Sequence, residues 1–258
     1  MSKNSMNKAI FITVRTGSTR LPQKALIKIQ DKATIEHLIH RVRRSEKTDK
    51  IIVCTTMLEE DNIICELAEK NGVDFFRGST EDKLDRWLQA AVKFDVDFFV
   101  TADGDDLFCE PELIDLAFEQ YERNKSDFIE ADGLACGAFT YGISRGALSR
   151  ACELKKTNDT ELSWLFFKEE GVCEAEKLEN VPDIFKRPEI RMTLDYEEDF
   201  NFFKNVIDHF HDIGQDLGLR EIINYLNEHP EVIKINQYRH EDFINNQRKR
   251  ATLILDEA

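Results

Sequence analysis

The first half of the chain alternates short, β-rich apolar runs with amphipathic runs, and this alternation limits the folds open to it. The apolar runs fall at 9–14, 50–55, 73–76, 97–102 and 128–131. Between them the apolar residues take helical spacing. Ile35, Leu38, Ile39 and Val42 share a face within 34–44, as do Ile63, Ile64, Leu67 and Ala68 within 59–71. Leu84, Trp87, Leu88 and Ala91 do the same within 80–94, and Pro111 opens a helix over 111–124, as first turns permit. Strand, helix, strand in succession predicts βαβ units, a mostly parallel sheet with right-handed crossovers, and helices on both faces. Such sheets bind ligands beyond the carboxyl ends of their strands. The loops to inspect therefore follow Val14, Thr55, Phe76 and Ala102. The second half is less regular. It predicts strands at 139–144 and 190–194, and helices at 145–155, 160–168, 197–211 and 219–229, with a charged, helical tail over 239–258.

Charge excludes whole classes of partner. Lys and Arg number 35 against 50 Asp and Glu in 258 residues, a formal net charge of −15. A surface this acidic repels polyphosphate backbones and anionic membranes, so no nucleic-acid or membrane partner is expected. Any phosphate-bearing ligand needs a local basic cluster or a metal ion. No run reaches the roughly 18 apolar residues of a membrane span, and the polar N-terminus has no secretory h-region. Six scattered Cys form no C-x-x-C pair, which argues against a zinc site or a disulfide framework. The chain reads as cytoplasmic with reduced thiols. Six His form no H-E-x-x-H and read as structural or surface residues.

The loop after the first strand, 15–26, supplies the basic cluster. It holds Arg15, Arg20 and Lys24 with Gly17, Ser18 and Thr19. Backbone N–H groups of such a loop cradle phosphate oxygens; Arg adds planar bidentate donors and Lys a point charge. The bland alternative is a solvated loop whose cations pair with nearby carboxylates. Neither G-x-x-x-x-G-K-[ST] nor G-x-G-x-x-G occurs, which excludes the P-loop and the common dinucleotide fingerprint.

The motif R-x-G-S-T-R-L-P-x-K-x-L at 15–26 resembles the nucleotide-binding loop of the cytidylyltransferases that make CMP-activated sugars. That family includes the CMP-Kdo synthetases, the acylneuraminate cytidylyltransferases and a spore-coat polysaccharide F-type branch, which the chain resembles in particular. F-R-G-S-x-x-D-x-L-D-R at 76–86, Gly104-Asp105 with P-E-L-I-D at 111–115, and R-x-T-x-D-x-x-E-D at 191–199 follow in the family's order. The resemblance covers roughly 8–238. It implies a three-layer, Rossmann-like nucleotide-diphospho-sugar transferase (GT-A-like) fold. It also implies one nucleotidyltransferase domain over 1–238, with an acceptor and dimerisation subregion at about 132–190. The implied reaction takes CTP and a sugar-acid or sugar-phosphate acceptor, uses Mg²⁺ and releases pyrophosphate, in a homodimer. Another nucleotide, a phosphonate acceptor or a catalytically silent nucleotide-binding subunit are the rival readings.

Nucleotidyl transfer needs a divalent cation beside the triphosphate, and one or two Asp at strand ends suffice to hold Mg²⁺. The resemblance assigns Asp105 and Asp195 to the metal, and Lys24 and Arg15 to catalysis. It places Val14, Arg15, Gly17, Ser18, Arg20, Lys24, Thr55, Arg77, Ser79 and Asp103 around the nucleotide. The sequence departs from the family at Gln23, where Gly is usual, and at Asp103, Asp106 and Leu107, where Thr, Cys and Pro are usual. Leu162 stands where a Glu-His pair usually ends.

Overall fold

A computed structural model describes residues 6–48, 50–214 and 217–257, with side chains described to residue 251. The polar lead at 1–5 and the last residue of the tail lie outside the described residues. In chain order the elements are β1 (Lys8–Thr13), β2 (Lys28–Ile29), β3 (Lys32–Ala33), α1 (Thr34–Val42), β4 (Ile51–Thr56), α2 (Asn62–Lys70), β5 (Asp74–Gly78), α3 (Lys83–Lys93), β6 (Phe98–Asp103) and α4 (Pro111–Asn124). Then come β7 (Phe128–Glu130), β8 (Tyr141–Ser144), α5 (Arg145–Leu154), α6 (Trp164–Phe167), β9 (Ala175–Lys177), α7 (Glu197–Ile213), α8 (Leu219–Glu228), α9 (Pro230–Ile233) and α10 (Arg239–Glu257).

Seven strands form one sheet in the order β5-β4-β1-β6-β8-β7-β9. The first four are parallel, β8 runs antiparallel to both neighbours, and β9 pairs parallel with β7. The expected α/β, mostly parallel sheet is therefore found. Alternate residues of β1 serve different layers: Ile10 and Ile12 pack with α1, α4, α7 and α8, while Ala9 and Phe11 pack with α3, α5 and α6. A strand buried on both faces has no polar side to show. No helix among the described residues is long and apolar enough to cross a membrane.

Two expectations need correction. The segment 190–194 is not a strand; among the described residues it makes one bridge, Arg191 to Cys136. Its apolar residues Ile190, Met192 and Leu194 are all buried, but they fill the core beside a loop rather than joining the sheet. The helix expected over 160–168 shrinks to α6, because Thr160 is held at the start of α3. Its hydroxyl accepts from Leu84 N–H (3.1 Å) and donates to the Asp82 carboxylate (3.1 Å). The small β2–β3 hairpin and β9 were not anticipated.

Backbone proximity sets the site's floor. Trp87 Nε1 donates to Thr13 Oγ1 at 2.7 Å, tying α3 to the end of β1. Gly104 lies so close to Val14 that an added Cβ would sit 2.7 Å from its side chain. The ends of β1 and β6 are thereby held against each other.

Glu36 ties α1 to α2. Its Oε2 accepts from Ala33 N–H (2.9 Å) at the helix start, and its Oε1 accepts from Lys70 Nζ (2.9 Å) and Asn71 Nδ2 (3.1 Å). Burial works against the carboxylate, but these donors bring its pKa down to about 2 from 4.5. A depressed pKa stabilises the fold above the unfolded value, and that contribution fades as pH falls from about 4.5 toward about 2. Glu36→Gln should cost about 1–2 kcal/mol at pH 7, measured by urea unfolding. The gap from wild type should narrow at pH 3.5, and a gap independent of pH would contradict the charge argument.

Candidate nucleotide site

The ends of β1 and β6 open into a cavity of about 780 Å³. Val14, Arg15, Gly17, Ser18, Arg20, Lys24, Asp103, Asp105 and Asp195 all line it. These are nine of the twelve residues expected at the site.

The loop after β1 is anchored from below. Asp61, fully buried, accepts from Thr16 N–H and Thr16 Oγ1, both at 2.7 Å, and from Thr56 Oγ1. Further on, Leu26 N–H reaches Gln23 O at 2.8 Å and Thr34 Oγ1 donates to Lys24 O. Gln23 takes φ = 53°, so the loop keeps a left-handed turn with a side chain where the family usually has Gly. Such a turn costs a residue with a Cβ about 1–2 kcal/mol.

Lys24 does not sit on an open loop surface. Its side chain is 17% exposed and its Nζ lies 2.6 Å from Asp105 Oδ2 and 2.9 Å from Asp195 Oδ1. The two carboxylate oxygens can be no farther apart than the sum of those distances. Asp195, 2% exposed, also accepts from Arg20. Burial opposes charge at both Lys24 and Asp195. Asp105 and Asp195 nevertheless keep the ammonium protonated beyond its usual range, and Lys24 and Arg20 hold Asp195 at about 2. At Asp105 burial dominates and raises the carboxyl, against the pull of Lys24.

Backbone and a buried ion pair bring these two acids together across 90 positions of sequence. Leu194 N–H donates to Asp105 O at 2.9 Å, and Met192 N–H to Cys136 O at 2.7 Å. Gly137 makes the second approach possible. At φ = +89° an added Cβ would fall 2.0 Å from Met192 O. Arg191, fully buried, grips Asp199 through Nε (2.9 Å) and Nη2 (3.0 Å), and reaches Asp195 Oδ2 at 3.2 Å. Asp199 also accepts from the N–H groups of Asp195 (2.9 Å) and Tyr196 (3.0 Å) at the start of α7, and from Asn236 Nδ2 (2.9 Å).

Thr55, Arg77 and Ser79 are not among the residues lining the cavity. Thr55 is fully buried in β4. Arg77 wraps the turn after β4, donating to Thr56 O (2.9 Å), Asn62 Oδ1 (2.6 Å) and Leu58 O (2.7 Å). Ser79 Oγ accepts from Asp82 N–H at 3.0 Å before α3. Lys83, Arg86, Glu161 and Arg250 are among the lining residues without an assigned role. Lys83 pairs with Asp103 at 3.0 Å, and Arg86 donates to Ser79 O at 2.8 Å. Arg15 meets Glu161 at 3.3 Å. Glu161 is partly desolvated, yet Lys83, Arg15, Arg250 and Arg86 hold it below the usual carboxylate range. The D-x-L-D-R stretch on a helix beginning at the site carried the signal for Lys83 and Arg86; Arg250 lay beyond every motif.

Removing one partner of a buried pair strands the other charge. Asp199→Ala should therefore cost about 3–5 kcal/mol, read as a lowered urea midpoint. A cost below about 1 kcal/mol, within the range of an exposed pair, would show that Arg191 does not depend on Asp199.

The cavity thus presents cations and paired carboxylates at a parallel-sheet end, and the comparisons agree with it. A family model described as Cytidylyltransferase matches residues 9–254. An uncharacterized protein of Methanocaldococcus jannaschii is 35% identical over 230 residues, spanning 88% of this chain and 93% of that protein. The spore coat polysaccharide biosynthesis protein SpsF of Bacillus subtilis is 28% identical over 236 residues, spanning 88% and 97%. The solved structure of a cytidylyltransferase from Leptospira borgpetersenii shares the fold, with a TM-score of 0.79 at 24% identity over 89% of this chain and 97% of that one. With the family model matching almost its whole length, the chain belongs to the cytidylyltransferase family and is a nucleotidyltransferase.

Proposed function

We propose that the protein transfers CMP from CTP to an acidic or phosphorylated sugar, with Mg²⁺, releasing pyrophosphate. The convergence of Asp105 and Asp195 on one point beneath the Arg15–Lys24 loop carries this reading. Two carboxylates suit Mg²⁺, which takes its remaining oxygens from water and substrate phosphates. Among the described residues there is no cluster of three or more His, Cys, Asp or Glu, and this ion does not require one. When bound, Mg²⁺ neutralises phosphate charge and orients in-line displacement. Asp105 and Asp195 hold it.

The chain's own groups do the rest. Lys24 turns its ammonium from the carboxylates to the phosphate oxygens, and Arg15, Arg20 and Ser18 with the Gly17 backbone position the triphosphate. The acceptor oxygen, a hydroxyl of a sugar acid or a phosphate oxygen of a sugar phosphate, attacks the α-phosphorus, the bond to the bridging oxygen breaks, and pyrophosphate leaves. Where a hydroxyl attacks, its proton passes to water. The 131–141 wall takes the acceptor, and a homodimer built on the 132–190 subregion belongs to the same reading. Phe166 and Phe167 do not serve that interface, since both are buried in the core and Phe167 stacks on Phe128 at 4.7 Å. Six free cysteines fit a reducing compartment, and a cytoplasmic location belongs to the same reading. The similarity to SpsF supports a product used in polysaccharide synthesis.

Two measurements test this reading. In the first, Lys24→Met leaves two acids facing each other without their shared cation. Turnover should fall at least about tenfold, equivalent to about 1.4 kcal/mol. Independently of activity, Mg²⁺ should raise the melting temperature of the variant more than that of wild type. Equal Mg²⁺ stabilisation would remove the two-carboxylate site. In the second, CTP with Mg²⁺ should raise the wild-type melting temperature more than UTP, with ATP and GTP least. A cytosine-shaped pocket leaves polar groups unpaired around uracil. A purine preference would overturn CTP as the donor.

A further inference from the structure

Helix α10 crosses the mouth of the cavity. At its start Arg239 pairs with Glu198 of α7 at 2.9 Å, and Asn246 Nδ2 donates to Tyr196 OH at 3.2 Å. The Phe243 ring lies under the Arg191 guanidinium, 4.9 Å from its centroid. At the other side Arg250 Nη2 donates to both oxygens of Asp159, at 2.8 and 2.9 Å. Ala251 packs against the core cluster of α3, α5 and α6. From 239 to 250 such a helix spans about 16 Å at 1.5 Å per residue. Phe243, Ile244, Asn246, Gln247 and Arg250 line the cavity, a spacing that puts them on one helical face.

The cavity's cations are unevenly placed. Arg15, Arg20 and Lys24 belong to the first loop, Lys83 and Arg86 to α3, and Arg250 alone to α10. Lys83 and Arg86 are buried and held by Asp103 and Ser79 O. Arg20 and Lys24 face the acidic pair. The wall from Ala131 to Tyr141 is apolar or hydroxyl-bearing and contributes no cation among the lining residues. Arg250 is thus the one cationic side chain that closes over the cavity from the helix side. Its hydrogen bonds to Asp159 both use Nη2, while Nη1 carries two further N–H donors of the five-donor fork. A donor on a charged guanidinium makes a strong, charge-assisted bond to a carboxylate or phosphate oxygen.

We propose that Arg250 reads the anionic group of the acceptor, with Asp159 holding Nη2 so that Nη1 donates to a carboxylate or phosphate oxygen. This rests on the acidic-acceptor reading above. It makes α10 part of the acceptor site rather than an appended tail. Arg250 is then a specificity residue, and Asp159 a positioning residue acting through it.

The test is steady-state pyrophosphate release from CTP by the full chain. The acceptors are 3-deoxy-manno-octulosonate and N-acetylneuraminate as carboxylates, glucose 1-phosphate as the phosphate, and N-acetylglucosamine as a neutral control. With the anionic acceptor that wild type uses, Arg250→Gln should raise the acceptor KM at least tenfold. The KM for CTP should stay within twofold and the melting temperature should be unchanged. Arg250→Lys should recover part of the loss, and Asp159→Asn should raise the acceptor KM by a smaller factor. An acceptor KM within twofold of wild type in Arg250→Gln overturns the proposal and leaves the acidic-acceptor reading standing. Equal rises in both KM values also overturn it, since they report loss of cavity closure. Wild-type turnover with N-acetylglucosamine alone, or with none of the four, overturns the acidic-acceptor reading itself and the proposal with it.

Discussion

The Lys24 ammonium between Asp105 and Asp195 is the contact on which the arrangement of the site depends. Two carboxylates this close repel each other, and burial makes the repulsion costly. A cation at hydrogen-bond distance from both resolves the conflict. The surrounding fold is occupied with keeping that geometry. β6 delivers Asp105 at a strand end held against β1 by the absence of a side chain at Gly104. Leu194 N–H fixes the second acid's backbone to Asp105 itself. Arg191 and Asp199, both fully buried, make the chain between them rigid enough to present Asp195 two residues before α7.

The same contact explains how a chain of net charge −15 can receive a triphosphate. The cations of the cavity are partnered inside the molecule: Arg15 with Glu161, Arg20 and Lys24 with the acidic pair, Lys83 with Asp103, Arg250 with Asp159. At Arg15, Arg20 and Lys24 carboxylate oxygens occupy positions that phosphate oxygens can take over. Exchange of one anion for another needs no new burial of charge, so preorganised donors act without a reorganisation cost. Because the pairs are local, the acidic remainder of the surface still repels longer polyphosphates.

Much of this was legible in the sequence, for physical reasons that also mark where legibility ends. β1, β4 and β6 announced themselves because strands buried on both faces must be apolar throughout. The loop after β1 did so because three cations at a strand end are unusual in an acidic chain. The run at 190–194 misled because periodicity reports burial and not hydrogen-bond partners: Ile190, Met192 and Leu194 face the core while their backbone pairs with a loop. Thr55, Arg77 and Ser79 sat in the right motifs, yet their polar atoms are spent on turns or buried in the sheet. Arg250 was invisible because it acquires its place only through tertiary packing.

The departures from the family pattern are absorbed locally, and this separates the two ends of the cavity. Gln23 adopts the left-handed turn that Gly usually supplies, so Lys24 still reaches the acids. Asp103, in the place of a Thr, is answered by Lys83 at 3.0 Å, whose ammonium also lies over the Trp87 ring. Asp106, in the place of a Cys, is buried with the Thr140 hydroxyl beside it, and burial together with the neighbouring acids raises its carboxyl well above the usual range. Leu162, in the place of a His, turns into the core while still lining the cavity. None of these substitutions removes a cation from the loop after β1 or an acid from the pair. Asp106 and Leu162 change polarity around the wall formed by 131–141 and 161–164, the side proposed above to contact the group that receives the nucleotide. Such changes can be tolerated there, because the acidic pair is held by backbone contacts, Met192 N–H to Cys136 O in that wall among them, and by the Arg191–Asp199 ion pair, none of which uses the substituted side chains.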